Sequence, residues 1–407
     1  MKKLFKNYSL LLITLLITSC GGDDSVVIGE ENNDSSSYTL SGTYSDSKTL
    51  SADNIWTLKG RVTFTSGTTL TIPAGTIIKA QGGTGTNAST LIIARGAKID
   101  AQGTASNPIV MTSVADDIEV GQKFGTNLNE NNRGLWGGLL ILGYAPCSFE
   151  NDVTQVQIEG IPVTDTNGLY GGDDATDNSG IVKYISIRHG GALIGDGNEI
   201  NGLTLGGVGS GTVIENIEVV GNVDDGIEFF GGTVDASNLL VWGQGDDGLD
   251  IDQAYSGTID NAMVIAGNVS DHGLEIDGPE GAAEGSFILK NVTLIGSEVA
   301  ADGEYADYRS NAMGASENIF AYGFQSGKDV ELDNDGVATN FNSGKLNFAS
   351  WEIIAPAGVT VADIFQNKAE TVTVSNFGDF ATLVTTGTVG ANAADFAWTY
   401  AKEKGAY

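Results

Sequence analysis

The 407 residues carry a formal net charge of −32, with 57 glycines and only 6 prolines. Such an excess of carboxylates repels phosphate backbones, which excludes nucleic acid as a partner, and a polyanionic ligand would need a bridging cation. Short apolar runs between glycine turns, with few helix-forming stretches, indicate an all-β chain long enough for one large core.

Residues 1–19 open with Lys2, Lys3 and Lys6 and continue into Leu10 to Ile17, an apolar run too short to span a bilayer as a mature helix. Ile17-Thr-Ser-Cys20 resembles a bacterial lipobox. The resemblance implies removal of residues 1–19 as a signal peptide and lipidation, palmitate included, of Cys20. Gly21-Gly-Asp-Asp resembles the surface-export signal of Bacteroidota lipoproteins. The expected address is the cell outer membrane, lipid-anchored, on the extracellular face. Residues 20–38 hold Cys20 and a Ser-, Asp-, Asn- and Gly-rich tether. With Cys20 lipidated, only Cys147 remains, so no intramolecular disulfide forms, and its apolar neighbours mark a buried structural thiol.

From residue 39 the chain is strand and turn. Residues 39–60 read as an N-terminal cap and residues up to 113 as the first coils, with strands such as Leu70-Thr-Ile-Pro and Leu91-Ile-Ile-Ala. Residues 114–180 break the rhythm with polar excursions around one buried strand, Trp136-Gly-Gly-Leu-Leu-Ile-Leu-Gly. The regular core follows, and two phrases define it. Asn201-Gly-Leu-Thr-Leu, Asp225-Gly-Ile-Glu-Phe, Asp247-Gly-Leu-Asp-Ile and His272-Gly-Leu-Glu-Ile recur at steps of 24, 22 and 25 residues. Out of step with them run phrases opening on Asn216, Asn238, Asn261, Asn291 and Asn318. Each alternates apolar and polar residues, the period of a half-buried strand. Two such strands per period, each unable to bury its face alone, predict a stacked coil. The asparagines form a structural ladder at one bend. The expected solenoid, a right-handed parallel β-helix of ten to twelve rungs, spans residues 39–340, with residues 341–407 as C-terminal cap and tail.

Leu70-Thr-Ile-Pro-Ala-Gly-Thr-Ile-Ile, Leu91-Ile-Ile-Ala-Arg-Gly-Ala-Lys-Ile, Leu135-Trp-Gly-Gly-Leu-Leu-Ile-Leu-Gly and Asp224-Asp-Gly-Ile-Glu-Phe-Phe-Gly-Gly-Thr-Val resemble phrases of a bacterial family of right-handed parallel β-helix lipoproteins, common in Bacteroidota. The resemblance covers about residues 40–330. It implies the fold and an envelope location, and it transfers no catalytic residue.

Stacking puts Glu228, Asp250 and Glu275 outward on successive rungs. Asp252 and Asp277 form a second outward row below Phe230, and Asp224, Asp225, Asp246, Asp247 and Asp271 crowd the adjoining turn. Carboxylates ~5 Å apart on a sheet face repel unless a cation, an arginine or a raised pKa compensates. An all-oxygen set suits Ca²⁺ as a cofactor; turn aspartates also bond their own backbone on a solvated face. Lys183, Arg188 and Arg309 are candidates for the base of a β-elimination on acidic polysaccharide, with calcium neutralising the uronate. The alternative is simple pairing with carboxylates. Phe230, Trp242 and His189 are candidates for binding a sugar, although aromatics at strand positions also build cores. Glu331-Leu-Asp-Asn-Asp-Gly begins like an EF-hand loop, but its twelfth position is Asn342 and no helical pattern flanks it.

Three readings stay open. The chain is a ligand-binding or accessory protein, partnered through its address with a TonB-dependent outer-membrane transporter in carbohydrate or metal uptake. Or it is a calcium-dependent polysaccharide lyase or glycoside hydrolase. Or it is a structural or adhesion protein of the surface.

Overall fold

The computed structural model describes residues 38–193 and 200–407. The leader, Cys20 and the tether up to residue 37 lie outside them. Among the described residues, every strand except the antiparallel ribbon Val156–Gln157 and Leu169–Tyr170 joins one hydrogen-bonded network, and its pairings are parallel. The strands fall into three faces. The first runs from residues 42–44 through 62–64, Thr90–Ile93, Leu139–Leu142, Leu203–Gly206, Ile227–Phe230, Leu249–Asp252, His272–Ile276, Glu304–Tyr308 and Val330–Leu332 to Phe365–Asn367. These eleven stacked strands are one per turn of the coil, within the expected range. The second and third faces share long strands, among them Val213–Val220, Ala236–Trp242, Thr258–Ile265 and Phe287–Ile295, each bent in its middle. The chain is a parallel β-helix.

The bend is where the asparagines sit. Asn216, Asn238, Asn261, Asn291 and Asn318 all have φ between 57° and 64°. Asparagine tolerates this left-handed conformation better than other side chains with a Cβ. Their amides bond one another up the stack: Asn238 to Asn216 at 3.2 Å, Asn261 to Asn238 at 2.6 Å and Asn318 to Asn291 at 3.1 Å, while Asn291 turns to Asp260. The links thus run from side chain to side chain rather than to backbone. Tyr184 and Ser350 hold the same bend with φ of 50° and 56°.

The repeated glycine of the first face has a different cause. A Cβ on Gly226 would lie 2.3 Å from Val241 Cγ1 and 2.7 Å from the Gly248 carbonyl. The turn brings two faces too close for any side chain. Beside it Leu203, Ile227, Leu249 and Leu274 point inward and are fully buried, as their alternation predicts.

Two expected boundaries move. Residues 39–60, read as a cap, hold Thr39–Tyr44 and the start of Ile55–Phe64, which already pair as coil. The coil also continues past residue 340: Leu346–Ile354 pairs with Gly314–Tyr322 and with Ala381–Leu383, and Phe365–Asn367 extends the first face. Ser350 replaces the marker asparagine there, so the period disappears from the sequence while the geometry persists. The EF-hand-like phrase runs from the end of the strand Val330–Leu332 into a helix, Asp335–Ser343, whose N-cap Asn334 accepts from Gly336 and Val337. A helix therefore does flank it, and Val337 and Ala338 bury into the core.

After its last rung the chain doubles back. Ala391 N bonds Thr293 Oγ1 at 2.9 Å, Asn392 N bonds Asn261 Oδ1 at 2.7 Å, and Ala401 N bonds Glu218 Oε1 at 2.8 Å. Phe396 and Ala401 pack on Leu240, Met263 and Ile265. This strap covers the outer side of the third face.

Candidate functional site

Register decides which acidic residues share a row on the outer side of the first face. One row reads Ile92, Leu140, Thr204, Glu228, Asp250, Glu275, Asp307 and Glu331. Two positions along, Leu142, Gly206, Phe230 and Asp252 form another. Asp277 and Arg309 continue it, their amides bonding Ile251 O and Ile276 O. At the turn, Asn201, Asp225, Asp247, His272 and Glu304 follow one another through backbone bonds and register.

The rows change chemistry along the coil. Ile92, Leu140, Leu142 and Phe230 are apolar, and the second excursion folds over them with Phe149, Ile158, Ile161 and Tyr170. From Glu228 onward the rows are acidic. Tyr170 donates to Gln253 Oε1 at 2.8 Å, and Gln253 Nε2 donates to Glu280 at 3.2 Å, so the excursion also edges the acidic stretch. Glu228, Asp250, Glu275 and Asp307 are each no more than 8% exposed. The solvated acidic face is excluded for them.

Compensation is uneven. Arg309 Nε lies 2.9 Å from Asp277 Oδ2, its NH2 bonds Glu275, and NH1 is 3.9 Å from Asp307 Oδ2. His272 Nδ1 sits 2.9 Å from Asp247 Oδ1. Lys368 holds Asp329 at 2.9 Å and Glu331 at 3.2 Å. Among the described residues, no basic side chain pairs with Asp225, Glu228 or Asp250. Their partners are a backbone amide, Asp247 N, on Asp225 and the Asn201 amide on Glu228, and Glu228 and Asp250 also hydrogen-bond each other. Asn201 Oδ1, Asp250 Oδ1, Asp277 Oδ1 and Asp307 Oδ1 are buried with no hydrogen-bond partner.

The protons respond accordingly. Burial first, then the charges of neighbouring carboxylates, hold Asp225, Glu228 and Asp250 well above the ordinary carboxylate range. Burial also pushes Asp252 and Asp307 up to about 7 and Asp246 up to about 6, and it raises Asp271 and Asp277. For His272 burial opposes the charged form, but the bond and charge of Asp247, with Asp271 and Asp307 behind it, push it up to about 9.

A model of the pectate-lyase-like β-helix domain matches residues 42–402. The chain belongs to this family. No curated protein matches it. Among solved structures, the full-length tailspike protein 2 of Escherichia coli O157:H7 bacteriophage CAB120 is similar over 82% of this chain and 42% of the tailspike, at 11% identity and a TM-score of 0.26. The chain thus spans less than half of the tailspike's length.

In this pectate-lyase-like β-helix the remaining candidates separate. Arg309 alone of the three basic candidates reaches the acidic rows. Lys183 pairs with Glu215 at 2.8 Å on the second face. Arg188 is buried on the third face, where Nε donates to Ser186 at 2.7 Å and the guanidinium stacks 4.8 Å from the Tyr400 ring. Neither can meet a ligand on the acidic rows. His189 is also buried, with Nδ1 2.8 Å from Asn132 O, and burial pushes it down to about 4. Phe230 lies beneath Tyr170, with ring centroids 5.8 Å apart, and half-buried Trp242 packs under the strap against Tyr400. The sugar-stacking roles expected of Phe230, Trp242 and His189 fail because each is covered, Phe230 by the excursion carrying Tyr170, Trp242 by the strap and His189 by the segment carrying Asn132. Cys147 is half-buried, its Sγ 3.3 Å from Phe230 O, and burial pushes its thiol up to about 12, as a structural thiol requires.

Sequence reasoning missed Glu304, Asp307 and Glu331 as members of these rows. The signal was present for two of them: Glu304 and Asp307 keep the three-residue spacing of Asp247 and Asp250. Tyr305 stands where the glycine was expected and hid the repeat.

Proposed function

We propose that this pectate-lyase-like β-helix is a ligand-binding accessory lipoprotein, anchored in the outer membrane through lipid on Cys20 with its coil on the extracellular side. The pattern Ile17 to Cys20 followed by Gly-Gly-Asp-Asp supports the address. The observation that carries the binding role is the state of Arg309. Glu275, Asp277 and Asp307 surround it and engage its donors. A guanidinium has no lone pair to accept a proton, so a base at this position is disfavoured. The ligand class is an extended carbohydrate bound through polar groups and cations, delivered to a TonB-dependent transporter.

The test is a panel of acidic and neutral polysaccharides, with and without calcium, read by affinity electrophoresis and by the ultraviolet absorbance of unsaturated chain ends. Retardation without new absorbance is expected. Release of unsaturated ends that stops in Arg309→Met would overturn the binding role in favour of the lyase. Retention of none of the glycans would leave the surface-scaffold reading in its place.

A further inference from the structure

We propose that the N-terminal end of the coil is a docking face for the anionic headgroups of a lipid bilayer, on which the anchored protein stands by its first rungs. The inference rests on the anchor at Cys20 and adds the surface that the anchor brings into contact. Charge divides along the chain. Residues 38–113 hold six basic side chains, Lys48, Lys59, Arg61, Lys79, Arg95 and Lys98, against three acidic ones. Residues 114–407 hold 11 basic against 44 acidic. A molecule with this division is drawn to an anionic surface by one end and pushed from it by the rest.

Most of these cations are uncompensated. Among the described residues, Arg61 alone of the six is in an ion pair, with Asp165 at 3.3 Å. Lys79 and Arg95 bond carbonyl oxygens, which leaves their charge in place. Asp46, Asp53 and Asp100 on the same rungs lower the surplus without cancelling it. Register puts Lys48, Lys59 and Lys98 on the first, second and third rungs. Two strand spacings of ~4.8 Å place all three within about 10 Å of the end of the stack, about one Debye length at 0.1 M salt. Lys48 stands in register with the inward-facing Leu70, and its Nζ lies 5.2 Å from the Trp56 ring and 5.8 Å from the Tyr44 ring. A cation thus sits over the end of the core. Tyr38, 39% exposed, packs edge-on against Trp56. Lysine beside tyrosine and tryptophan suits a membrane–water interface.

The two ends of the coil differ in their covers. Among the described residues, Thr39–Tyr44 pairs with Ile55–Phe64 and with no other strand, so its second edge is open. An open edge needs a cover, and polar headgroups can solvate its backbone groups. At the opposite end the chain supplies its own cover: Phe377 and Phe380 pack on Phe348 and Phe365. By sequence, the tether from Cys20 enters the coil at Thr39, the first residue of the open strand. The anchor therefore presents the basic end to the bilayer, and linkage makes a weak attraction sufficient.

The experiment reconstitutes the full chain in phosphatidylcholine vesicles and in vesicles with about a third of that lipid replaced by phosphatidylglycerol, at about 50 mM and about 500 mM NaCl. A dye on Ser45→Cys, at the first rung, or on Ser375→Cys, at the far end, transfers energy to an acceptor on the headgroups. Cys147 does not compete for the dye near neutral pH, because burial pushes its thiol up to about 12. Transfer from the first rung should rise in the anionic vesicles at low salt and fall back at high salt, and transfer from the far end should not rise. Each lysine near an anionic surface contributes roughly fivefold to the ratio of docked to undocked protein, so Lys48→Gln, Lys59→Gln and Lys98→Gln together should lower it about a hundredfold. The three Glu replacements should abolish the rise, with melting temperatures of both variants showing that the coil is intact. Equal transfer in the two kinds of vesicle overturns the docking face, as does a rise that survives the Glu replacements. A solution dimer with no response to headgroup charge would assign the open edge to a second copy instead. Mass spectrometry of the envelope-derived chain reports lipid on Cys20 separately, so loss of the anchor is distinguishable from loss of the docking face.

Discussion

Replacing Arg309 with methionine keeps an apolar stem and removes the cation that bonds Glu275 and Asp277 and faces Asp307. The structure sets the scale: 2.9 Å to Asp277, 3.9 Å to Asp307 and a direct bond to Glu275. A charge pair at about 4 Å contributes roughly 4 kcal/mol at an effective dielectric constant near 20, before desolvation is subtracted. The Arg309 side chain is 37% exposed, so solvent screens much of this, and a net loss of about 3 kcal/mol at pH 8 remains. The loss should depend on pH. Burial pushes Asp307 up to about 7, so by about pH 5.5 it carries a proton and needs no counter-charge. The loss should then shrink by roughly a quarter. Urea unfolding in chelator, with wild type and variant compared at both pH values, measures the difference. Equal losses at the two pH values would refute charge compensation as the role of Arg309, and so would a loss below about 1 kcal/mol at pH 8.

Two further outcomes are expected. Asn238→Ala should lose about 2 to 3 kcal/mol, from left-handed backbone strain and two ladder bonds, whereas Asn238→Gly should lose about 1 kcal/mol less because glycine accepts the φ of 57°; equal losses in thermal melts would remove strain from the account. In chelator, the wild type should be more stable near pH 5 than at pH 8. Asp252 and Asp307, near 7 when folded and about 4 when unfolded, destabilise the fold progressively as pH rises from about 4 to about 7, and His272 loses its stabilising charge as pH rises from about 6.5 through its folded value of about 9. His189, held neutral down to about 4, destabilises the fold as pH falls below about 6.5. A stability maximum at pH 8 or above would contradict these assignments.

The rungs were legible because period-two alternation and recurrent glycines register neighbouring strands without long-range information. Glu228, Asp250 and Glu275, and likewise Asp252 and Asp277, share rows as expected. Legibility ended where one marker residue changed while the backbone did not, at Tyr305 and at Ser350. The site was half legible. Alternation says which side of a strand faces out, but not what lies on top of it. The excursion carrying Phe149 and Tyr170, and the strap carrying Phe396 and Tyr400, pack through contacts more than a hundred residues apart in some cases, and no local period encodes them. Phe230, Trp242, His189 and Arg188 therefore read as surface candidates and are covered instead.

In a stack whose contacts join neighbouring turns, folding can start anywhere and either end can fray by itself. The strap changes that. Tyr400 OH bonds Leu128 O at 2.7 Å across a separation of 272 residues. That contact cannot form until Tyr400 has been synthesised, and loop-closure entropy makes it late. Once made, it ties the final rungs to the early ones, so that melting at one end is felt at the other. Its loss should turn one cooperative transition into fraying from the C-terminal end.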